Sequence, residues 1–129
     1  MKTVDEIAAA VVDASFNVHQ ELGPGLLESA YEACLMHELT KRGLMVERQK
    51  EQPVHYDGIM IDVGYRIDLL VNDSIIIELK AVEQIIPIHQ AQLMTYLKLS
   101  KKPLGFLINF NTTYFKSSIK RIANNYQES

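Results

Sequence analysis

The chain has 129 residues, a length that fits one domain over residues 1–129 and allows a hydrophobic core. Hydrophobic residues make up 47% and charged residues 22% of the chain, which excludes an intrinsically disordered polypeptide. The net charge of −3 argues against strong non-specific binding to nucleic acid.

Charge is distributed unevenly along the chain. Residues 1–83 hold 15 acidic and 7 basic residues, whereas residues 84–127 hold 6 basic residues and no acidic one. The acid-free region predicts either a surface that contacts a polyanion or an ordinary solvated lysine surface, and charge alone leaves both interpretations open.

The N-terminal segment lacks the features of a signal peptide. Asp5 and Glu6 stand where a signal peptide would be basic, and the longest apolar run, residues 7–12, has only six residues. We therefore expect a cytoplasmic protein without membrane contact. The single cysteine, Cys34, excludes an internal disulfide, and we interpret it as a buried inert thiol rather than a reactive one.

Turn signals and periodicity divide the chain into helices and strands. The capping box Thr3-x-x-Glu6 opens a helix over residues 4–21, which the Gly-Pro-Gly turn at residues 23–25 ends. The further predicted elements are a helix over 26–42, strands over 45–56, 59–63, 65–71 and 75–81, a helix over 88–99, and strands over 104–110 and 114–122. The order ααββββαββ predicts an α/β fold with a mixed central β-sheet flanked by helices.

Charged side chains interrupt the two most strand-like segments. Asp68 lies in the first, and Glu78 and Lys80 lie on one face of the second. A three-residue loop over residues 72–74 would pair residue 71 with 75 and bring Asp68 opposite Glu78. A two-residue turn would place the two carboxylates on opposite faces of the sheet. A shared site therefore predicts the longer loop.

Two carboxylates at such a position have two interpretations. They repel each other unless a proton or cation intervenes, and oxygen ligands suit a hard divalent ion such as Mg²⁺ or Mn²⁺. Lys80 could then act on a water or a phosphate. The alternative is an exposed cross-strand salt bridge that also includes Arg66.

Two helical segments carry further polar side chains. Glu28, at the start of the second helix, is either a charge favoured by the helix dipole or an inward-pointing ligand. Gln92 and Tyr96 share one face of the third helix, with His89 one turn earlier. On their own they form either a polar face with an aromatic packing contact or part of a site.

These segments together resemble the PD-(D/E)xK nuclease superfamily and, within it, the small bacterial GxxExxY family. The resemblance covers residues 5–122, and one departure is Ile67, which stands where the superfamily name has proline. The matching residues are Gly25, Glu28 and Tyr31 of the naming motif, Asp68, Glu78 and Lys80 of the nuclease core motif, Gln92 and Tyr96 of a helix motif, and residues 107–110 of the following strand.

The resemblance implies a restriction-endonuclease-like core with a Mg²⁺ or Mn²⁺ site. Asp68, Glu78 and the backbone carbonyl of Leu79 would hold the ion, and Glu28 would be a further ligand or orient a metal-bound water.

It also implies roles for side chains around that site. Lys80 would act on the attacking water and the scissile phosphate, and Gln92 would position Lys80 or the phosphate. Tyr96 would be structural, and independently of the resemblance we expect supporting positions near the site for Tyr96, Arg66 and His89.

We accordingly expect a metal-dependent nuclease that hydrolyses phosphodiester bonds, with DNA as the substrate, by attack of a metal-activated water. Lys98, Lys101 and Lys102 would contact the nucleic-acid backbone. A homodimer follows by analogy with nucleases that cut two strands. The alternatives are a non-catalytic module that binds nucleic acid or a protein, and a structural domain whose charged cluster is a salt-bridge network.

Overall fold

The computed structural model of the chain describes residues 2–126. Its helices are α1 (Val4–Leu22), α2 (Glu28–Lys41) and α3 (Pro87–Ser100), with a short 3-10 helix over Phe115–Ser117. Its strands are β1 (Val46–Glu51), β2 (Val54–Tyr56), β3 (Ile59–Ile61), β4 (Arg66–Val71), β5 (Ile75–Lys80), β6 (Leu104–Asn109) and β7 (Ile119–Ala123). None of the helices in this part of the chain is long and apolar enough to cross a lipid bilayer.

Helices α1 and α2 cover one face of the sheet. The predicted capping box is present, because the Glu6 N–H donates to Thr3 Oγ1 and the Thr3 N–H donates to Glu6 Oε1, both at 3.1 Å. Buried apolar side chains of the two helices, such as Val11 and Leu35, then form one core cluster with strand residues such as Ile77. The predicted first helix is confirmed to within one residue.

Five strands form a mixed sheet in the order β1-β4-β5-β6-β7. β5 and β6 run parallel, and the other neighbouring pairs are antiparallel. Two parallel neighbours need a crossover connection, which α3 supplies while it covers the second face of the sheet. There Leu93 and Leu97 share a buried cluster with Ile76 and Leu107. This confirms the predicted α/β fold with a restriction-endonuclease-like core.

The strand predicted over residues 45–56 is wrong, because the chain breaks it at Gln52 and Pro53. β1 ends before this point and pairs with β4, whereas β2 begins after it and pairs with β3. Proline has no N–H for a strand ladder. The Gln52 N–H turns to the carbonyl of Tyr65, at 2.9 Å. The observed element order therefore contains one strand more than ααββββαββ.

The strand predicted over residues 114–122 also begins later than expected. The 3-10 helix over Phe115–Ser117 occupies its first half, and β7 forms the sheet edge beside β6. The Ser118 N–H donates to the Phe115 carbonyl at 2.8 Å and closes this turn before the strand starts.

Candidate active site

The loop between β4 and β5 has the three residues that a shared site requires. Val71 pairs with Ile75, and Leu70 pairs with Ile76, which confirms the predicted register. Asn72 and Asp73 adopt φ angles of 48° and 54°, a left-handed conformation that these two residue types tolerate better than most.

The two strands part where the carboxylates lie. The backbone ladder between β4 and β5 ends at the pair of Leu69 and Ile77. One residue further on, the Asp68 N–H donates to Glu78 Oε1 at 3.2 Å, and the Leu79 N–H donates to Asp68 Oδ2 at 2.8 Å. The two carboxylates thus accept the N–H groups that strand carbonyls would otherwise accept. The sequence pattern predicted this proximity, and the structure shows how the backbone produces it.

The environment of Glu78 keeps its carboxyl group protonated at neutral pH. Glu78 is only 6% exposed. Burial, followed by the negative charge of Asp68, raises the pKa of Glu78 to about 9, although Lys80 acts in the opposite direction. A positive charge beside Asp68, in addition to that of Lys80, would allow both carboxylates to ionise.

Asp68 and Glu78 fit a hard divalent cation by the chemistry of their donors. Both present carboxylate oxygens, and the Leu79 carbonyl is a third oxygen in the same strand segment. Over residues 2–126 no group of three Asp, Glu, His or Cys side chains is arranged to hold a metal. Mg²⁺ typically keeps several waters and takes one or two carboxylates plus phosphate oxygens, so a two-carboxylate set suits it.

A third carboxylate, that of Glu32, is connected to Asp68 through the side-chain amide of Gln49. Glu32 on α2 is 6% exposed, and its Oε1 accepts from Arg48 Nε at 2.5 Å. Its Oε2 accepts from Gln49 Nε2 at 2.9 Å, and the same nitrogen donates to Asp68 Oδ1 at 3.1 Å. Glu32 and Gln49 were not among the site residues predicted from the sequence. The one available signal was that Glu32 lies four residues after Glu28 and so on the same helix face.

Glu28 lies at the first residue of α2 and is exposed. Its carboxylate makes no hydrogen bond or ion pair with any other residue in the range 2–126. Tyr31 of the same motif is fully buried, and its hydroxyl donates to the Gly23 carbonyl at 2.6 Å and accepts from the Leu26 N–H at 3.0 Å. Its ring stacks on Phe110 with centroids 4.6 Å apart. The tyrosine of the motif therefore holds the turn between the two helices.

The polar face of α3 approaches the site through Tyr96. Gln92 Nε2 lies 3.4 Å from Tyr96 Oη, and the Tyr96 ring is tilted against Tyr65 with centroids 6.2 Å apart. Burial raises the pKa of Tyr96, and the negative charge of Glu78 adds to that effect. His89 serves the helix itself, because its Nδ1 accepts the N–H of residue 86 at 3.1 Å.

Lys80 is half-buried on β5, two residues after Glu78 and on the same face of the strand. Its backbone pairs with Asn109 of β6. Within the described residues its ammonium group makes no hydrogen bond or ion pair, so the group remains available to a substrate. Arg66, which the alternative interpretation included in a salt bridge with the carboxylates of this site, instead forms an ion pair of 3.6 Å with Glu51.

The three lysines predicted to contact the nucleic-acid backbone, Lys98, Lys101 and Lys102, lie at the C-terminal end of α3, far from Lys80. Lys102 Nζ is 2.9 Å from Asp73 in the β4–β5 loop. Strand β5 separates that loop from Lys80, a length of about 17 Å.

An exposed lysine that the sequence analysis did not single out lies nearer. The backbone of Lys120 pairs with that of Leu107, and Leu107 pairs with Glu78. The Cα atoms of Lys120 and Glu78 are therefore about 10 Å apart, and the two side chains lie on the same face of the sheet.

Comparison with known families agrees with this geometry. A family model described as the PD-(D/E)XK nuclease superfamily matches residues 5–122. The chain therefore belongs to this superfamily of nucleases, whose substrates are nucleic acids and whose members typically use divalent metal ions. No curated protein and no solved structure matched the chain.

Proposed function

We propose that this protein is an active, Mg²⁺- or Mn²⁺-dependent nuclease that hydrolyses phosphodiester bonds in DNA. The observation that carries the proposal is the convergence of Asp68 and Glu78 at the point where β4 and β5 part, beside Lys80, whose ammonium group has no partner among residues 2–126. A bound divalent cation supplies positive charge that stabilises the phosphate in the transition state and lowers the pKa of a nearby water.

The protein groups have separate tasks in this proposal. Asp68 and Glu78 bind the cation with the Leu79 carbonyl, and Glu78 must release its proton to do so. Lys80 Nζ donates hydrogen bonds to the scissile phosphate and stabilises its developing charge. Gln92, exposed beside Tyr96, contacts a phosphate oxygen from the α3 side.

The GxxExxY motif is a finer part of the proposal. Tyr31 supports the turn that precedes α2, and Glu28, exposed at the start of that helix, would orient a metal-bound water. We also assign the chain to the GxxExxY family on this motif, place it in the cytoplasm and treat residues 1–129 as one domain.

Nucleic-acid contacts extend from the site in two directions. Lys120 is positioned to contact the phosphate backbone next to the scissile bond. Contacts from Lys98, Lys101 and Lys102 would need a nucleic acid that runs the length of α3, because these residues adjoin its far end. A homodimer would supply the second site that cleavage of both duplex strands requires.

The test is cleavage by wild type, Lys80→Ala and Lys41→Ala. Each protein is incubated with end-labelled single-stranded, duplex and branched DNA and with RNA, in EDTA, Mg²⁺ or Mn²⁺. Lys41, which pairs with Glu38 on α2 at 3.3 Å, provides a control lysine outside the site. We expect metal-dependent cleavage of DNA by wild type and Lys41→Ala, and none by Lys80→Ala. Binding of DNA by folded wild type without any cleavage would instead support a non-catalytic binding module.

A further inference from the structure

Gln49 adopts a backbone conformation that is unusual for a strand residue. It lies in the middle of β1, yet its φ angle is 53°, in the left-handed region that non-glycine residues rarely adopt. Its neighbours Arg48 and Lys50 pair regularly with β4, and only the position of Gln49 opposite Asp68 is missing from that register. The distortion is thus confined to the residue that faces the candidate metal ligand.

The side chain of Gln49 lies between two carboxylates. Its Nε2 donates to Glu32 Oε2 at 2.9 Å and to Asp68 Oδ1 at 3.1 Å. An amide nitrogen carries two hydrogens, one for each carboxylate, and the amide oxygen would be repelled by both. The two charges therefore determine the orientation of the amide.

Asp68 consequently has both carboxylate oxygens held. Gln49 holds Oδ1, and the Leu79 N–H holds Oδ2 at 2.8 Å. Each oxygen keeps a further lone pair for a ligand, and those lone pairs point in defined directions because the group cannot rotate. Groups that orient a metal ligand in this way commonly change metal affinity or activity by about 10- to 100-fold when they are removed.

We propose that Glu32 positions Asp68 for cation binding through the side-chain amide of Gln49. Both are positioning residues, since neither is assigned a contact with substrate or cation. The inference rests on the proposed function for the identity of Asp68 as a metal ligand. It adds that the affinity for the cation depends on a contact that α2 makes through β1.

The test measures Mn²⁺ binding directly, from the electron paramagnetic resonance signal of the free ion. Gln49→Met keeps the length of the side chain but removes the amide, and Glu32→Gln keeps its size but removes the charge. Glu38→Gln is the matched control, because Glu38 is a largely buried, ion-paired carboxylate on the same helix with no contact to Gln49 or Asp68. If Gln49→Met does not fold, Gln49→Asn replaces it, because asparagine tolerates a positive φ but is too short to bridge both carboxylates.

We expect the Gln49 variant to raise the Kd for Mn²⁺ by about 10- to 100-fold, Glu32→Gln to raise it less, and Glu38→Gln to leave it unchanged. The double variant at Glu32 and Gln49 should bind no more weakly than the Gln49 variant alone, because Glu32 acts only through that amide. At saturating metal, KM for DNA should stay unchanged in all of them.

The outcomes separate the two proposals. Unchanged Mn²⁺ affinity in the Gln49 variant, or additive losses in the double variant, would overturn the positioning role while wild-type cleavage still supported a nuclease. Wild type that binds no Mn²⁺ would overturn both proposals. Weakened Mn²⁺ binding in a protein that cleaves nothing would leave the positioning role standing and remove the catalytic function.

Discussion

Replacing Glu78 with glutamine should stabilise the metal-free protein at alkaline pH. The folded-state pKa of Glu78 is about 9, and the ordinary value is near 4.5. Between these values the folded state holds a proton that the unfolded state has released, so stability falls as pH rises. Glutamine resembles the protonated acid, and its carbonyl can still accept the Asp68 N–H.

The size of this effect follows from linkage. Each pH unit between the two pKa values costs about 1.4 kcal/mol of unfolding free energy. From pH 5 to pH 8 wild type should therefore lose about 4 kcal/mol through Glu78 alone, a large share of the 5–15 kcal/mol that typically stabilises a domain. The contributions of other titrating groups to the unfolding free energy cancel when wild type and Glu78→Gln are compared at the same pH.

Urea denaturation in EDTA at pH 5, 6, 7 and 8 would measure this difference. We expect the unfolding free energy of Glu78→Gln to rise relative to that of wild type at each step in pH. Saturating Mg²⁺ should reduce this difference, because the cation takes the place of the proton. Glu83→Gln, at an exposed glutamate, is the control and should show no such trend. A difference between wild type and Glu78→Gln that stays constant from pH 5 to pH 8 would show that Glu78 is ionised in the folded protein and would refute the reasoning.

Three further predictions concern packing and substrate contacts. Tyr31→Phe should lower the unfolding free energy by about 1–2 kcal/mol in denaturant titrations, since both hydrogen bonds of its hydroxyl are lost, and should leave kcat unchanged. Gly105→Ala should cost about 1–3 kcal/mol by the same measurement, because a Cβ there would lie 2.9 Å from a methyl group of Leu93. For binding to a short single-stranded oligonucleotide, Lys120→Ala should reduce the slope of the logarithm of the association constant against the logarithm of the salt concentration by about 1, whereas Lys102→Ala should not. Equal slopes for the two variants would contradict the proposed contact between Lys120 and the substrate.

The parts of the fold that local chemistry determines could be predicted from the sequence. The capping box at Thr3 and the three-residue loop after Val71 depend on residues close together in the chain, and both are present. The break at Pro53 also had a local signal in the missing N–H, which the prediction of a single strand over residues 45–56 overlooked. Element type was therefore more predictable than element boundaries.

The surroundings of Asp68 could not be predicted in the same way. Its contact with Gln49 joins residues 19 apart in sequence, and it depends on a positive φ angle at a residue type that gives no sign of one. Whether Lys98, Lys101 and Lys102 adjoin the site depends on which end of β5 lies next to the C-terminal end of α3. A sequence pattern gives the faces of helices and strands, but these contacts depend on how the elements are arranged in three dimensions.

The proton on Glu78 links folding to metal binding and gives a final prediction. A cation that binds Asp68 and Glu78 must displace that proton, so each Mn²⁺ bound at pH 7 should release about one proton. Calorimetric titrations in two buffers of different ionisation enthalpy give this number from the difference in observed heat. Glu78→Gln has no proton to release, so any Mn²⁺ that it binds should give the same heat in both buffers. If wild type binds Mn²⁺ without releasing a proton, the ion either binds elsewhere or leaves Glu78 protonated, and in both cases the two carboxylates do not form the ligand pair proposed here.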